Sequence, residues 1–446
     1  MTNVLRFAPA LAILSLSAAA LAVGCGDDGG STTPACDASL RPVIFAHGFL
    51  AASDTWSSQV ARFEQNGMCA DHLAVFDWNT LAPDGAEAQL DAAIDRLLAA
   101  TGASQVDLVG HSAGGGLGYR YLADPVHAAK VAHYAHLASS AETAPAGPDG
   151  DAAHAVPTLA VRSTGDTIAE SAEVPGAENV VLTGADHYEV ATSPETFTAL
   201  WKAFEGADPT TTTVSIDRHP TLAGKALTLG ENAPVPGWTV EVWRLESAGG
   251  KRLGAAPEAS FTVAADGAWG PFAAASGARY ELFLHAPAGT APDEARPVHY
   301  YIEPVTHSDA LLYLRALPGP GSIVGALLGQ IPFDDRHVVL IAFSASKAVV
   351  AGRDTLTVGG RALATEELAS AARTAIAFFL FDENSDQTSG GEASTFSALL
   401  TVFLTAVDEY LAADDPAPIA LSLDERQLAI PRWPSATDGA TVVIFR

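Results

Sequence analysis

The stretch VDLVGHSAGGGLGYRYL, from Val106 to Leu122, joins an apolar run to a glycine-rich segment that can open a helix. Its centre, Gly110-His111-Ser112-Ala113-Gly114, has the pattern G-x-S-x-G. In this pattern the glycines permit a sharp strand-to-helix turn that holds the serine in a strained conformation with its hydroxyl exposed. The pattern alone is weak evidence, because glycine-rich turns produce it by chance. Its position between a strand and a helix predicts that Ser112 is a nucleophile.

Strands and helices alternate on both sides of this stretch, from Arg41 to about Gly206. Short continuous apolar runs are typical of strands that are buried in a parallel sheet. The predicted strands are PVIFAHG (42–48), LAVFDW (73–78), VDLV (106–109), KVAHYAHLAS (130–139), TLAVRST (158–164) and NVVLTG (179–184). Helices between strands imply right-handed crossovers, so residues 40–206 are predicted to form an α/β domain with a mostly parallel, doubly wound sheet.

Two helices of this domain have boundary signals. Ser53 can cap a helix that runs to about Asn66. Ser193, Pro194 and Gly206 fit the N-cap, the first helical position and the C-cap of the last helix. This last helix is predicted to close the domain.

The motif AHGF, Ala46 to Phe49, follows the first predicted strand. A tetrahedral intermediate of acyl transfer needs two backbone N–H donors, one directly after the nucleophile and one in the loop after this strand. The amides of Phe49 and Ala113 are the predicted pair for this oxyanion hole. His47 is expected to brace the loop, and His111, inside the serine motif, is expected to pack rather than to titrate.

An acid and a base follow the serine in the chain order Ser, Asp, His. Asp166 comes after the strand TLAV and His187 after the strand NVVL. Both side chains are therefore expected at the carboxyl ends of strands, where open α/β sheets place their ligands and their chemistry. His187 would take the proton of Ser112, and Asp166 would fix the tautomer of the imidazole and stabilise its cation.

Three further carboxylates compete for the role of the acid. Glu170 and Glu173 are the alternatives to Asp166. Asp186 directly precedes His187, but adjacent side chains diverge, so Asp186 is expected to be a solvated turn residue.

The residue pattern changes after ADPTTTT (207–213). From there the chain consists of short segments rich in β-branched and aromatic residues, separated by turns with Gly, Pro and Asp. This pattern predicts an all-β sandwich or barrel for residues 207–446, as one unit or as the modules 207–296 and 297–446. In the stretch FDENSDQTSGGE (381–392), Asp382, Asn384 and Asp386 stand in alternate positions, as in a calcium loop over 382–393. However, Gln387 and Ala393 replace the glycine and the glutamate of such a loop. A polar hairpin loop is favoured over a Ca²⁺ site, and no metal ligands are predicted.

The motifs HGF, GHSAGG, STGD and GADH, in this order over residues 40–206, resemble those of compact bacterial lipases of the α/β-hydrolase superfamily. The added β-rich half is similar to that of an archaeal lipase group, in which a β-barrel domain handles long acyl chains. The resemblance implies carboxylic ester hydrolysis of acyl substrates, a small lid and no cofactor. The metal ligands that are typical of the larger zinc- and calcium-dependent lipases are not recognised.

The acidic composition of the chain limits the binding partners that the protein can have. The formal net charge is −28, with 24 Lys and Arg against 52 Asp and Glu. Such a surface repels phosphate backbones, so nucleic acid is excluded as a partner. The acidic surface is interpreted as a solubility feature without a catalytic role.

The first residues are typical of an export signal. Arg6 precedes an apolar run from Phe7 to Val23, and LAVGC ends in Cys25. This end resembles a bacterial lipobox, which predicts a signal peptide at 1–24, acylation of Cys25 and a polar tether at 25–39. The alternative is a conventional signal peptide with Cys25 unmodified. In an oxidising compartment Cys36 and Cys69 then remain as a predicted disulfide.

The sequence therefore predicts an exported serine esterase, in practice a lipase, that contacts the membrane through its lipid anchor. A polyester depolymerase and a short-chain esterase remain alternatives within this chemistry. The alternative from another class is a non-catalytic surface lipoprotein that binds lipid or polysaccharide through its β-rich half. Residues 140–155 form either a mobile lid or a solvated connection. Acyl chain length, the membrane that carries the anchor and the oligomeric state are left open.

Overall fold

The computed structural model describes residues 35–139, 145–148, 151, 153–169, 172–247, 249–291, 295–396 and 402–446. The predicted signal peptide 1–24, Cys25 and most of the tether 25–39 lie outside these residues. The described residues belong to one compact unit. Within them, no helix is both long enough and apolar enough to cross a membrane.

The N-terminal domain contains a six-stranded parallel sheet. Its strands are β1 (Val43–Ala46), β2 (Leu73–Phe76), β3 (Val106–His111), β4 (Val131–Leu137), β5 (Thr158–Ser163) and β6 (Glu178–Leu182). Their order in the sheet is β2-β1-β3-β4-β5-β6. All six predicted strands are present with slightly different ends, and the predicted parallel sheet is confirmed. Because β1 and β3 are neighbours, the loop after β1 meets the turn after β3 at the same edge.

Helices cover both faces of this sheet and bury apolar side chains against it. They are α1 (Ser57–Gln65), α2 (Ala86–Thr101), α3 (Ala113–Leu122), α4 (Pro125–Ala128), α5 (Glu189–Thr192) and α6 (Pro194–Glu205), with short 3-10 helices at Ser53–Trp56 and Ala70–His72. The capping prediction for α6 is confirmed: the Ser193 hydroxyl accepts from the Thr196 amide (3.2 Å), and Gly206 ends the helix in the left-handed conformation.

The capping prediction for Ser53 is wrong. Ser53 lies inside the 3-10 helix that precedes α1, and its hydroxyl has no hydrogen-bond partner among the described residues. Its amide donates instead to the carboxylate of Asp77 (3.0 Å). The 3-10 turn inserts before α1 because this segment packs under the first strand, where Trp56 is fully buried.

Residues 207–446 are β-rich, as predicted. The strands are β7 (Thr221–Thr228), β8 (Thr239–Arg244), β9 (Ala259–Thr262), β10 (Ala268–Ala273), β11 (Tyr280–His285), β12 (Val298–Ile302), β13 (Leu314–Ala316), β14 (Val339–Ser344), β15 (Leu356–Val358), β16 (Arg361–Ala362), β17 (Ala377–Phe381), β18 (Leu404–Asp408), β19 (Ile419–Leu423), β20 (Arg426–Ile430) and β21 (Ala440–Phe445). Short helices interrupt them at α7 (Ile323–Leu328), α8 (Glu366–Ala369), α9 (Ser435–Asp438) and the 3-10 turn Ala371–Arg373.

An eight-stranded mixed sheet, in the order β18-β17-β14-β21-β12-β11-β8-β9, dominates this region. It is flanked by a three-stranded sheet, β10-β7-β13, and a four-stranded sheet, β16-β15-β19-β20. Strands from both candidate modules, 207–296 and 297–446, take part in the large sheet, and β11 pairs with β12 across residue 297. The two segments therefore share one set of backbone hydrogen bonds.

The two faces of the large sheet have different neighbours, because successive side chains of a strand point to opposite faces. Phe379 and Val442 face one hydrophobic cluster, which includes residues of the three-stranded sheet. Phe378 and Val443 face another cluster, which includes residues of the four-stranded sheet. The face that carries Phe379 and Val442 also lines cavities next to the N-terminal domain. This sheet thus supplies one wall of the space between the two regions.

Polar contacts join the β-rich region to the N-terminal domain. Asp77 accepts from Lys225 (2.8 Å) and from the hydroxyl of Tyr313 (2.9 Å). Arg315 donates to Asp54 (2.6 Å). The contacts place the β-rich region beside the loop that follows β1.

A disulfide joins Cys36 to Cys69, with their Cα atoms 4.8 Å apart. The predicted pairing is confirmed. It ties the start of the described chain to the segment after α1.

Candidate active site

Ser112 lies between β3, which ends at His111, and α3, which begins at Ala113. Its φ of 52° and ψ of −119° fall in a region that side-chain-bearing residues rarely occupy. The Ser112 amide donates to the Leu137 carbonyl oxygen (2.9 Å), and the Ser112 carbonyl accepts from the Ser139 hydroxyl (2.8 Å). These bonds hold the strained turn in place.

At both glycine positions of the motif, a side chain would clash with neighbouring backbone. A Cβ on Gly110 would lie 2.4 Å from the Gly114 carbonyl oxygen, and a Cβ on Gly114 would lie 2.4 Å from the Ala46 carbonyl oxygen. Side-chain carbons essentially never approach backbone this closely. The first turn of α3 therefore packs directly on the end of β1, which is the geometry that the G-x-S-x-G pattern predicts.

His187 and Asp166 meet at the neighbouring strand ends. The His187 Nδ1–H donates to Asp166 Oδ2 at 2.9 Å, and both side chains are almost completely buried. The other ring nitrogen of His187, Nε2, is buried and has no hydrogen-bond partner among the described residues. Because His187 and Ser112 line the same cavities, this unpartnered nitrogen is available to accept the proton of the serine.

Asp166 is held in its ionised form. Burial by itself would raise the pKa of Asp166, but the hydrogen bond and the charge of His187 lower it. The amides of Ile168 (2.8 Å) and Ala169 (3.0 Å) also donate to its Oδ1, and the net pKa lies below the ordinary value. A carboxylate that stays ionised can orient the imidazole and stabilise its cation.

The loop after β1 lies against Ser112. A Cβ on Gly48 would be 3.1 Å from the Ser112 Cβ, so Gly48 and the nucleophile are in contact distance. Phe49 lines the same cavity as Ser112. Ala113 is the first residue of α3, a position whose backbone amide has no acceptor within the helix. The two predicted oxyanion donors thus flank the serine.

His47 braces this loop, as expected. Its Nδ1–H donates to the Gly48 carbonyl oxygen (2.9 Å), and its Nε2 accepts from the Trp78 amide (3.3 Å). Burial lowers the pKa of His47 to about 4. The imidazole is therefore neutral near pH 7 and serves both bonds at once.

His111 is also neutral and structural, as expected. It is buried, and its Nε2–H donates to the His187 carbonyl oxygen (2.9 Å). Burial, and next the neighbouring His187, lower the pKa of His111 to about 3. The two imidazole centroids are 4.9 Å apart, so His111 supports one side of the His187 ring.

The expectation for Asp186 is wrong. This residue is only 4% exposed, and its carboxylate accepts from the guanidinium of Arg353 in the β-rich region (2.9 Å). The side chain does diverge from His187, but it turns into the interface and not into solvent. Of the other competitors, Glu173 is exposed and Glu170 lies outside the described residues.

An apolar cavity of 110 Å³ opens from the serine toward the β-rich region. Its walls come from both regions and include Phe49, Leu50, Tyr188, Leu229, Val324, Leu327, Ile376, Phe379, Phe396, Phe403 and Leu404. A second apolar cavity, also of 110 Å³, shares several of these walls, including Leu229, Ile376, Phe379 and Leu404. Together they give the nucleophile an apolar approach on this side.

A wider cleft of 710 Å³ also borders Ser112. Its walls include Asp84, Glu87, Tyr119 and Arg120 together with Ala113 and His187. Glu87 and Arg120 form an ion pair there (2.5 Å). Ser112 therefore borders both a narrow apolar space and a wider cleft with mixed polar and apolar walls.

Two of the weaker predictions concern loops. Of the candidate lid 140–155, residues 140–144, 149–150 and 152 lie outside the described residues, so the lid stays a prediction.

In the loop 382–393, the Asp382 carboxylate accepts from the amides of Asp386 (3.1 Å) and Gln387 (2.9 Å). Across the described ranges, no group of three or more His, Cys, Asp or Glu side chains is placed to hold a metal ion.

Sequence reasoning missed the cavity walls and the interface residues that the β-rich region contributes. Arg353 and Phe403 are the most informative examples, because they contact the His187 segment. Neither residue is part of a local motif.

Family models match three ranges of the chain. The α/β hydrolase fold matches residues 41–160, the lipase C-terminal domain matches residues 219–317, and a further C-terminal domain matches residues 343–446. Together with the parallel sheet and the serine turn, these matches identify the chain as an α/β hydrolase of the lipase and esterase class with an additional C-terminal β-rich region. No curated protein sequence matches the chain.

Solved structures with a similar fold include several esterases and lipases. A Bacillus subtilis carboxylesterase is 13% identical, with a TM-score of 0.29 over 39% of this chain and 86% of that one. Aspergillus fumigatus lipase B is 16% identical, with a TM-score of 0.29 over 39% of this chain and 54% of that one. A Bacillus licheniformis lipase is 16% identical, with a TM-score of 0.27 over 36% of this chain and 91% of that one. These likenesses are too weak to support a substrate or a mechanism.

Proposed function

We propose that the protein is a serine carboxylic-ester hydrolase that acts on acyl esters, in practice a lipase. The observation that carries this proposal is the 2.9 Å bond from His187 to Asp166, with the unpartnered Nε2 of His187 in the cavity that holds Ser112. A buried acid, a base with one free nitrogen and a serine in a strained turn are the parts that acyl transfer needs.

In this mechanism Ser112 Oγ attacks the carbonyl carbon of the ester while His187 Nε2 accepts its proton. The amides of Phe49 and Ala113 donate to the oxyanion of the tetrahedral intermediate. His187 then gives the proton to the leaving alcohol, and an acyl-enzyme remains. Water then attacks the acyl-enzyme while His187 accepts a proton from the water and Asp166 stabilises the imidazolium. His187 returns this proton to Ser112 Oγ as the carboxylic acid product leaves.

The acyl group is proposed to occupy the apolar cavity between the two regions. Aliphatic and aromatic walls favour a hydrocarbon chain over a charged group. The alcohol is proposed to leave through the wider cleft, whose walls include the charged side chains Asp84, Glu87 and Arg120. A short-chain esterase and a polyester depolymerase use the same chemistry, and the dependence of turnover on acyl length separates them.

We also propose that the protein is exported and that its Cys25 carries a lipid anchor. The disulfide between Cys36 and Cys69 supports an oxidising compartment. Metabolic labelling with palmitate tests the anchor, because a Cys25→Ser chain should take up no label and should leave the membrane fraction.

The main test is Ser112→Ala, measured on p-nitrophenyl esters of increasing chain length and on emulsified triglyceride. Removal of the nucleophile should lower kcat by about 10⁶-fold, because the remaining groups cannot form the acyl-enzyme. The melting temperature should stay close to that of the wild type, since the substitution removes a single hydroxyl from a partly exposed side chain. A Ser104→Ala variant, at an exposed serine of the same domain, serves as the matched control.

Unchanged turnover by the purified Ser112→Ala protein would refute the proposal. Absence of turnover in the wild type, on every ester tested, would favour the alternative, a non-catalytic lipoprotein that binds lipid or polysaccharide.

A further inference from the structure

The residue before the proposed base is tied to the β-rich region. Asp186 Oδ2 accepts from the Ala348 amide (3.0 Å) and from Arg353 Nη2 (2.9 Å). Asp186 Oδ1 accepts from the amides of Tyr188 (3.0 Å) and Glu189 (2.9 Å), which follow His187. One buried carboxylate therefore joins the backbone around His187 to residues 348–353.

Arg353 is itself held firmly. Its Nε–H donates to Asp354 (2.9 Å), and its Nη1 donates to Glu189 (3.3 Å). Asp354 is buried and also accepts from Lys347 (2.5 Å) and from the Val350 amide (2.8 Å). The guanidinium is thus fixed at the interface and does not swing freely on the surface.

Two more contacts reach the same segment from the β-rich region. The ring of Phe403 stacks on the His187 imidazole, with centroids 5.8 Å apart and planes inclined by 27°. The hydroxyl of Thr192, at the end of α5, donates to the Ser346 carbonyl oxygen. His187 therefore has His111 on one side and a residue of the β-rich region on another, while its own loop is anchored from 346 to 353.

We propose that Asp186 and Arg353 are positioning residues that couple the β-rich region to the geometry of His187. The proposal rests on the proposed function, because it assigns His187 the role of the base. Arg353, whose side chain is 33% exposed, neutralises the buried carboxylate of Asp186, and loss of the guanidinium leaves that buried charge uncompensated. The Asp186 carboxylate would then move toward solvent, and the backbone on both sides of His187 would move with it.

A small displacement of the base is enough to slow acyl transfer. A shift of about 1 Å in a reacting group costs up to roughly 100-fold in rate. The β-rich region is then part of the machinery of the hydrolase domain, in addition to any lipid contact that it makes.

The test compares Arg353→Met with the wild type and with Arg336→Met, which removes a guanidinium from the exposed pair with Asp334 in the same region (2.5 Å). A fluorophosphonate titration counts reactive serines, and stopped-flow kinetics with p-nitrophenyl butyrate give the acylation rate per counted site. We expect Arg353→Met to lower the acylation rate about 10- to 100-fold with KM nearly unchanged. The number of reactive sites should stay near one per chain. Arg336→Met should match the wild type.

Arg353→Lys keeps a cation at the same position and should recover part of the rate. A purely structural role would instead lower the number of reactive sites and leave the rate per site at the wild-type value, which would overturn the proposal. A wild-type acylation rate per site in Arg353→Met would also overturn the proposal.

If Arg353→Met does not fold, Arg353→Lys and Asp186→Asn are measured in the same way. Wild-type acylation rates per site in both variants would then overturn the proposal. A wild type that the probe does not label at all contradicts the proposed function itself, which is a distinguishable result.

Discussion

His111 and Asp166, the two neighbours of the proposed base His187, have their charge states set by close contacts. His111 is kept neutral by burial and supports the ring of His187, while Asp166 is kept ionised by His187 and two amides. The same kinds of side chain, two imidazoles and a carboxylate, thereby acquire different roles within a few ångströms. Environment rather than residue type decides which histidine is the base.

Asp166→Asn tests the role of the acid. The amide cannot stabilise an imidazolium and favours the wrong tautomer, so kcat should fall by about 10³- to 10⁴-fold. Glu173→Gln, at an exposed carboxylate that follows in the same loop, is the control and should keep full activity. Equal activity of Asp166→Asn and wild type would show that another group orients His187.

The same variant should alter stability with a definite dependence on pH. The pKa of Asp166 is lowered in the folded protein, so its carboxylate stabilises the fold above its ordinary pKa and loses this effect as the pH falls through the folded-state value. Asp166→Asn should therefore be less stable than the wild type at neutral pH and approach it in strong acid. Urea unfolding at several pH values measures the difference.

At the scale of elements, the strand ends carry the site and the large β-sheet supplies its wall. The serine, acid and base follow β3, β5 and β6, and the oxyanion loop follows β1. These positions could be predicted from sequence, because short apolar strands with polar residues at their carboxyl ends are a local pattern. The pairing of Asp166 with His187 followed from their chain order and the parallel sheet.

The contribution of the β-rich region could not be predicted in the same way. Arg353, Phe403 and Ile376 come close to the site through long-range pairing of β14, β17 and β18, which no local pattern specifies. Asp186 shows the same limit. Divergence of adjacent side chains correctly excluded it as the partner of His187, but its burial depends on residues far along the chain.

Leu404, on β18, lines both apolar cavities and offers a test of the acyl site. Leu404→Trp should fill the space between them. Turnover of p-nitrophenyl butyrate should stay within about threefold of the wild type, whereas turnover of the palmitate ester should fall by roughly tenfold or more, since the longer chain loses buried area. Leu253→Trp, at a residue that is 62% exposed, controls for the added ring. Parallel losses for both esters, with an unchanged melting temperature, would place the acyl chain elsewhere.

At the scale of the whole molecule, the hydrolase domain and the β-rich region both line the cavity beside Ser112. Asp77, Asp54 and Asp186 of the hydrolase domain each bind a basic side chain of the β-rich region. Ser112 borders an apolar space made by both regions and a wider cleft, with charged residues in its walls, made by the hydrolase domain. This arrangement suits an ester with an apolar acyl part and a more polar alcohol.

The central claim is that Ser112 is a nucleophile activated by His187. The most direct measurement is mass spectrometry of the protein after reaction with a fluorophosphonate, with peptide mapping of the modified residue. The account predicts one covalent adduct per chain, located on Ser112, and none in the His187→Ala variant at the same exposure. Modification of another residue, or a wild-type Ser112 that stays unmodified at high probe concentration, would contradict it.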